Sequence, residues 1–178
     1  MTNLIAAFTL FIAAQSTIMT PATPSPAHVV NTFRFQLAAP LARVAPLFGP
    51  EGERCWAGQH WDPHFLYPQP ARDGEGAVFT VVQHGTHTSV WVNTLFDLAA
   101  GRMQYVAVIP GIVLSVIDVR LAAIDASHTT VEVTYARTAL DPAMNDHVTS
   151  MGAGDGDNGP NWQQAIEPCL AATPPGHM

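Results

Sequence analysis

The stretch 31–37 (NTFRFQL) alternates apolar Phe33, Phe35 and Leu37 with polar Thr32, Arg34 and Gln36, the period of a strand with one buried face. Five more segments read as strands: 77–84, 89–95, 103–109, 113–124 and 129–139. The turns between them, HGTH, DLAAG, PG and DASH, supply the Gly, Asp and Ser that tight antiparallel connections need. In the last hairpin Ile117, Val119 and Leu121 share one face with Val131, Val133 and Tyr135, while Arg120 and Glu132 fall on the other. That predicts a sheet packed on one side and wet on the other. Between the first strand and the meander, 40–48 predicts a short helix that Pro46 ends or kinks, and 50–56 a second one. Pro50, Glu51 and Glu53 stand in the first turn of that second helix, where the helix dipole favours carboxylates. After Asp141-Pro142 a helix is expected over 144–151, then an interruption at 152–160 (GAGDGDNGP). A final helix is expected from Asn161, whose spacing to Gln164 is that of a capping box. Trp162, Ala165, Ile166 and Leu170 recur in it at helical intervals, and Pro168 should break or kink it.

The order is one strand, two short helices, a five-strand meander and a C-terminal helix, an α+β domain. Ahead of it, residues 1–14 carry no charged side chain and include an apolar run at 4–14, too short for the ~20 residues of a membrane span. A Thr- and Pro-rich stretch follows to residue 27, with small residues at Ala14, Ala22 and Ala27. This pattern predicts a signal peptide and linker over 1–27, hence an exported protein; a cytoplasmic chain is the alternative. The domain is then 28–172 and residues 173–178 a disordered tail.

The chain has 178 residues, with all seven basic side chains Arg, 14 acidic ones and a net charge of −7. That balance argues against a nucleic-acid partner or an anionic membrane surface. The absence of Lys removes phosphate loops of the Walker type and Schiff-base or pyridoxal chemistry, and no cofactor is expected. Charged residues make up 12%, about half the ~25% usual for soluble domains. Much of the remainder must therefore line a core or a cavity.

The succession LFGPEGERCWAGQHWDPHFLYP, GAVFTVV, VWV and MQYVAVIPG resembles SRPBCC proteins, the START-like superfamily that includes polyketide cyclases and the birch-pollen (Bet v 1) allergen type. The resemblance runs over 29–172. It implies the helix-grip fold, a curved antiparallel sheet wrapped around a C-terminal helix, with two short helices after the first strand. It also implies a cavity for a hydrophobic or amphipathic small molecule: a lipid, an isoprenoid or something polyketide-like. The superfamily usually has one continuous C-terminal helix, so the glycines of 152–160 read as a broken lid, either a wider cavity mouth or, the preferred reading, a moving gate.

The inward-facing residues expected to line that cavity are Phe79, Val81, Trp91, Tyr105, Ile117, Val119, Val133, Tyr135 and Trp162. Trp and Tyr bring polar handles that can orient a ligand. Trp56 and Trp61 are assigned to packing beside the helix pair. Three histidines, His60, His84 and His87, are candidates for acid–base work because imidazole titrates near neutrality. His60, Asp62 and His64 in HWDPH do not have the spacing of a standard metal site, and Trp61, Phe65 and Tyr67 give that segment a packing role; no metal is expected. Asp155, Asp157 and Asn158 are out of register for a calcium loop, with Ile166 where Glu is needed. Cys55 and Cys169 are either one disulfide or two buried thiols. The leading reading is a ligand-binding protein. The alternative is a cyclase- or dehydratase-like enzyme using a cavity histidine.

Overall fold

The computed structural model describes residues 24–83 and 87–172. The expected leader, apart from residues 24–27, the 173–178 tail and His84 therefore lie outside the described residues. In chain order the elements are β1 (His28–Leu37), α1 (Leu41–Val44), a 3-10 turn (Ala45–Phe48), α2 (Pro50–Glu53), β2 (His64–Tyr67), β3 (Val78–Gln83), β4 (His87–Asp97), β5 (Arg102–Ile109), β6 (Val113–Ala123) and β7 (Thr129–Ala139). A 3-10 turn (Pro142–Met144), α3 (Asn145–Ala153), another 3-10 turn (Asp155–Asp157) and α4 (Asn158–Ala172) complete it. The strands form a seven-stranded antiparallel sheet in the order β1-β7-β6-β5-β4-β3-β2. Register shifts in β2, between Phe65 and Tyr67, and in β4, between Asn93 and Leu95, are the irregularities that bend strands and deepen sheet curvature.

The parity read from the sequence sets the two faces. Ile117 and Val119 on β6 pair with Tyr135 and Val133 on β7, and Arg120 pairs with Glu132 on the outer face. One contiguous core joins Phe33, Phe35 and Leu37 of β1 to the inner residues of β5–β7, to Phe48 and Trp56, and to Ile166 and Cys169 of α4. Ahead of β1, the Ala27 amide donates to Asn145 Oδ1 and its carbonyl accepts from Ala139, so the bonded domain begins before the strand does.

Three expectations change. The segment HFLY, read as a packing loop, is the edge strand β2. Only Phe65 in it is even partly buried, so it carries no alternation to detect. The last helix begins at Asn158 rather than Asn161, and Asn161 is an exposed residue inside it. Pro160 occupies an early position where its missing N–H costs nothing, and exposed Pro168 is carried within the helix, which continues to Ala172. Finally, the glycine-rich stretch is not an open break: only Gly154 separates α3 from the following 3-10 turn. A Cβ on Gly152 would lie 2.9 Å from the Asn31 amide and 3.0 Å from Val29, and one on Gly159 would lie 2.9 Å from the Arg34 carbonyl oxygen. These two glycines let the helical run approach β1, so their presence is explained by packing and no longer argues for a gate.

Two ties hold α4 to the opposite wall. Cys55, just after α2, is disulfide-bonded to Cys169 with Cα atoms 6.1 Å apart, and the Arg43 guanidinium donates to the Leu170 carbonyl.

Candidate functional site

Two adjoining chambers lie between the concave face of the sheet and the C-terminal helical run. The larger, of about 300 Å³, is walled by Glu53 at the end of α2, Trp56 and Ala57 just after it, Trp61, and Trp91 of β4. Tyr105, Ile117, Val119 and Tyr135 of β5–β7 form its floor, and Asn161, Trp162 and Ala165 of α4 its roof. The second, of about 240 Å³, shares Trp91, Ile117 and Tyr135 with it and adds Ser89, Ser115, Arg137 and Met151.

All four tryptophans of the chain face the larger chamber. Trp56 and Trp162 have ring centroids 4.8 Å apart, and Trp61 meets Trp91 edge-on at 5.3 Å. Three of the indoles are oriented by hydrogen bonds into the protein: Trp56 donates to the Leu47 carbonyl, Trp61 to the Pro50 carbonyl and Trp91 to Ser89 Oγ. Their polar edges are thereby satisfied, and carbon surface is left for the chamber.

Glu53, the last residue of α2, is the one ionisable acid in this wall. Burial pushes its carboxyl well above the usual carboxylate range, and the nearby Asp73 pushes it the same way. Asp73 is itself raised by burial, against the amides of Glu51 and Gly52 that donate to it. Gly49 makes room for it, since a Cβ there would fall 2.1 Å from Asp73 Oδ2. Tyr105, which donates its hydroxyl to the Phe48 carbonyl, is shifted up by burial and then by Glu53 and Asp73. In the second chamber the Arg137 guanidinium pairs with buried Asp155 and sits 4.1 Å from the Tyr135 ring centroid. Its Nε is buried without an acceptor among the described residues.

The raised carboxyl gives a stability signature. An acid whose folded pKa lies above its unfolded value releases its proton first in the unfolded chain, so stability is lost as pH rises from the unfolded pKa toward the folded one. Glu53→Gln is therefore expected to be more stable than the parent at pH 8 and to match it near pH 4, by urea denaturation at both values. An equal difference at the two pH values would refute the buried-acid assignment.

Six of the residues expected on the cavity wall line the larger chamber: Trp91, Tyr105, Ile117, Val119, Tyr135 and Trp162. Phe79, Val81 and Val133 do not. Phe79 is enclosed by the rings of Trp61, Phe65 and Trp91, and Val81 and Val133 are fully packed. Trp56 and Trp61, assigned to packing alone, are wall residues. Of the three histidine candidates, His84 lies outside the described residues. His60 and His87 are exposed and belong to neither chamber. In HWDPH, Asp62 accepts from Arg54 at 2.5 Å and lies 3.2 Å from His64, an exposed ion-pair cluster. Asp155, weighed as a calcium ligand, is the partner of Arg137. No helix among the described residues is long and apolar enough to cross a membrane.

No protein-family model matches the chain, and no curated protein matches its sequence. Solved structures do match. Norcoclaurine synthase of Thalictrum flavum, solved with dopamine and hydroxybenzaldehyde, superposes with a TM-score of 0.63 at 12% identity, covering 96% of this chain and 100% of that one. An uncharacterised protein of Rhizobium leguminosarum gives 0.59 at 19% identity, over 84% and 98% of the two chains. Ara h 8.0201 gives 0.58 at 15%, over 83% and 100%. With its curved sheet, the two short helices after β1 and α4 across the concave face, the chain has the Bet v 1-like helix-grip fold.

Proposed function

We propose that the protein binds a compact amphipathic small molecule, apolar in the middle and polar at its ends, in the paired chambers under α4. The observation that carries this is the wall itself: an aromatic interior with the half-buried Glu53 carboxyl in the larger chamber and, in the second, Arg137, whose Nε is buried without a partner among the described residues. A buried polar group without a partner costs about 1–3 kcal/mol, a cost that a ligand atom in the right place removes. The larger chamber, about 300 Å³, is at the small end of the ~300–1,000 Å³ typical of small-molecule pockets. It suits one or two rings or a short chain better than a two-chain lipid. The norcoclaurine synthase neighbour, solved with two small aromatic molecules, supports this size class.

The test is a titration with the neutral dye N-phenyl-1-naphthylamine, followed by its own emission and by quenching of the tryptophans. Saturable micromolar binding is expected, weakened about tenfold or more by Ala165→Phe, which fills the chamber from α4. Equal binding by the two proteins would place the dye elsewhere and count against this reading.

One observation favours a second reading, a cyclase- or dehydratase-like enzyme. A carboxyl whose pKa is raised by burial in an apolar wall is better suited than an ordinary carboxylate to act as a general acid, and Glu53 takes the place expected of a histidine. Loss of turnover with retained dye binding in Glu53→Gln would select it.

A further inference from the structure

The larger chamber is unusual in what it lacks as well as in what it holds. Four indoles surround a space whose single carboxyl side chain is Glu53, with Tyr105 and Tyr135 as its other titratable groups. The groups facing Glu53 add no positive charge: Asp73 comes from the β2–β3 connection, Tyr105 from β5 and Tyr135 from β7, while α4 contributes Asn161 and Trp162. Of the cations, Arg137 belongs to the neighbouring chamber and is committed to Asp155 and to the Tyr135 ring, while Arg54, next to Glu53 in the chain and acting on Asp73, lines neither chamber and is paired with Glu51 and Asp62. Indole faces carry negative electrostatic potential and attract organic cations more strongly than other side-chain rings do. Because Trp56, Trp61 and Trp91 spend their positive N–H edges on protein acceptors, faces and carbon edges are what remain.

We propose that this chamber is a site for an organic cation, a quaternary or protonated amine on an apolar body, seated among the tryptophans with the Glu53 carboxylate as its counter-ion. The proposal rests on the binding reading above and specifies the charge of the ligand. An anion would meet Glu53 with Asp73 behind it. A neutral molecule would leave the carboxyl to be neutralised by a proton. A cation instead stabilises the ionised form, so Glu53 releases its proton as the ligand enters. Affinity for a permanently charged amine then rises with pH across the range where the empty protein still holds that proton.

The experiment competes two probes of the same shape against N-phenyl-1-naphthylamine: phenethyltrimethylammonium and its uncharged carbon analogue, 3,3-dimethylbutylbenzene. At pH 8 the cation should displace the dye about tenfold better than the analogue, and this advantage should shrink by pH 5. In Glu53→Gln the ratio of the two probes' affinities, each corrected for that variant's own dye affinity, should fall to within about twofold. Calorimetry of the unmodified protein in two buffers of unlike ionisation enthalpy should register proton release. If the dye binds but the two probes compete equally, the cation proposal is overturned and the binding reading stands. If neither dye nor probes bind, both fall. Should Glu53→Gln fail to fold, a pH-independent preference in the unmodified protein overturns the proposal by itself.

Discussion

Reduction of the Cys55–Cys169 bond lowers the unfolding free energy by about 4–5 kcal/mol, and the double substitution Cys55→Ala, Cys169→Ala does the same. The bond joins positions 114 apart, and closing so long a loop removes much of the freedom of the unfolded chain. It also acts on the site. Cys55 lies between Glu53 and Trp56 on one wall of the larger chamber, and Cys169 is one turn beyond Ala165 on the roof. Reduced protein is therefore expected to bind the dye more weakly even where it remains folded, because α4 is then held to that wall chiefly by packing and by the Arg43 contact with Leu170. Guanidinium denaturation of oxidised and reduced protein, read alongside dye affinity, measures both effects. Coincident denaturation midpoints would sink the first expectation.

Asp155→Asn is expected to destabilise by about 3–5 kcal/mol, the usual consequence of removing one partner from a buried ion pair. Arg137 and Asp155 keep only 9% and 3% of their side-chain surface exposed, so the guanidinium left behind has neither water nor a counter-charge. For a domain of this size that corresponds to a fall in Tm of roughly 10 °C. Replacing both partners with apolar residues, Arg137→Met with Asp155→Leu, should recover most of the loss, since a buried pair contributes little beyond a well-packed apolar substitute. If the single and double variants are equally unstable, the loss arises from packing around α3 and the following turn rather than from the stranded charge.

The sheet was legible where one face is wet. β7 begins and ends where the alternation of 129–139 says it should, and the same parity identified Trp91, Tyr105, Ile117 and Tyr135 as inward-facing. Glu53, Trp56 and Trp61 escaped for the converse reason. They sit on a four-residue helix and the irregular chain after it, where no period says which way a side chain points. The first-turn preference of Glu53 is a local property; the chamber that it lines is completed by α4, more than a hundred positions away. The start of α4 was misplaced in the same manner. Asn161 and Gln164 have the spacing of a cap, but Gly159 can approach the Arg34 carbonyl closely only because it lacks a Cβ, and that tertiary contact accompanies a helix begun three residues earlier. Nor could spacing decide between a bridge and two thiols, which depends on Cα separation alone.

The order of the sheet has a bearing on how the molecule comes together. β1 has β7 as its partner along its whole length, from His28 opposite Thr138 to Leu37 opposite Thr129, with contacting side chains as far as 110 positions apart. The earliest strand to be made thus waits for the latest, and the hydrophobic face of Phe33, Phe35 and Leu37 has no sheet to join until the meander is complete. Pairings this distant in sequence are slow to form, because loop-closure entropy is lost before any contact offsets it. The roof follows later still, since α4 is made after β7. The cavity is consequently the last part of the protein to exist, appearing when the first strand and the final helix meet.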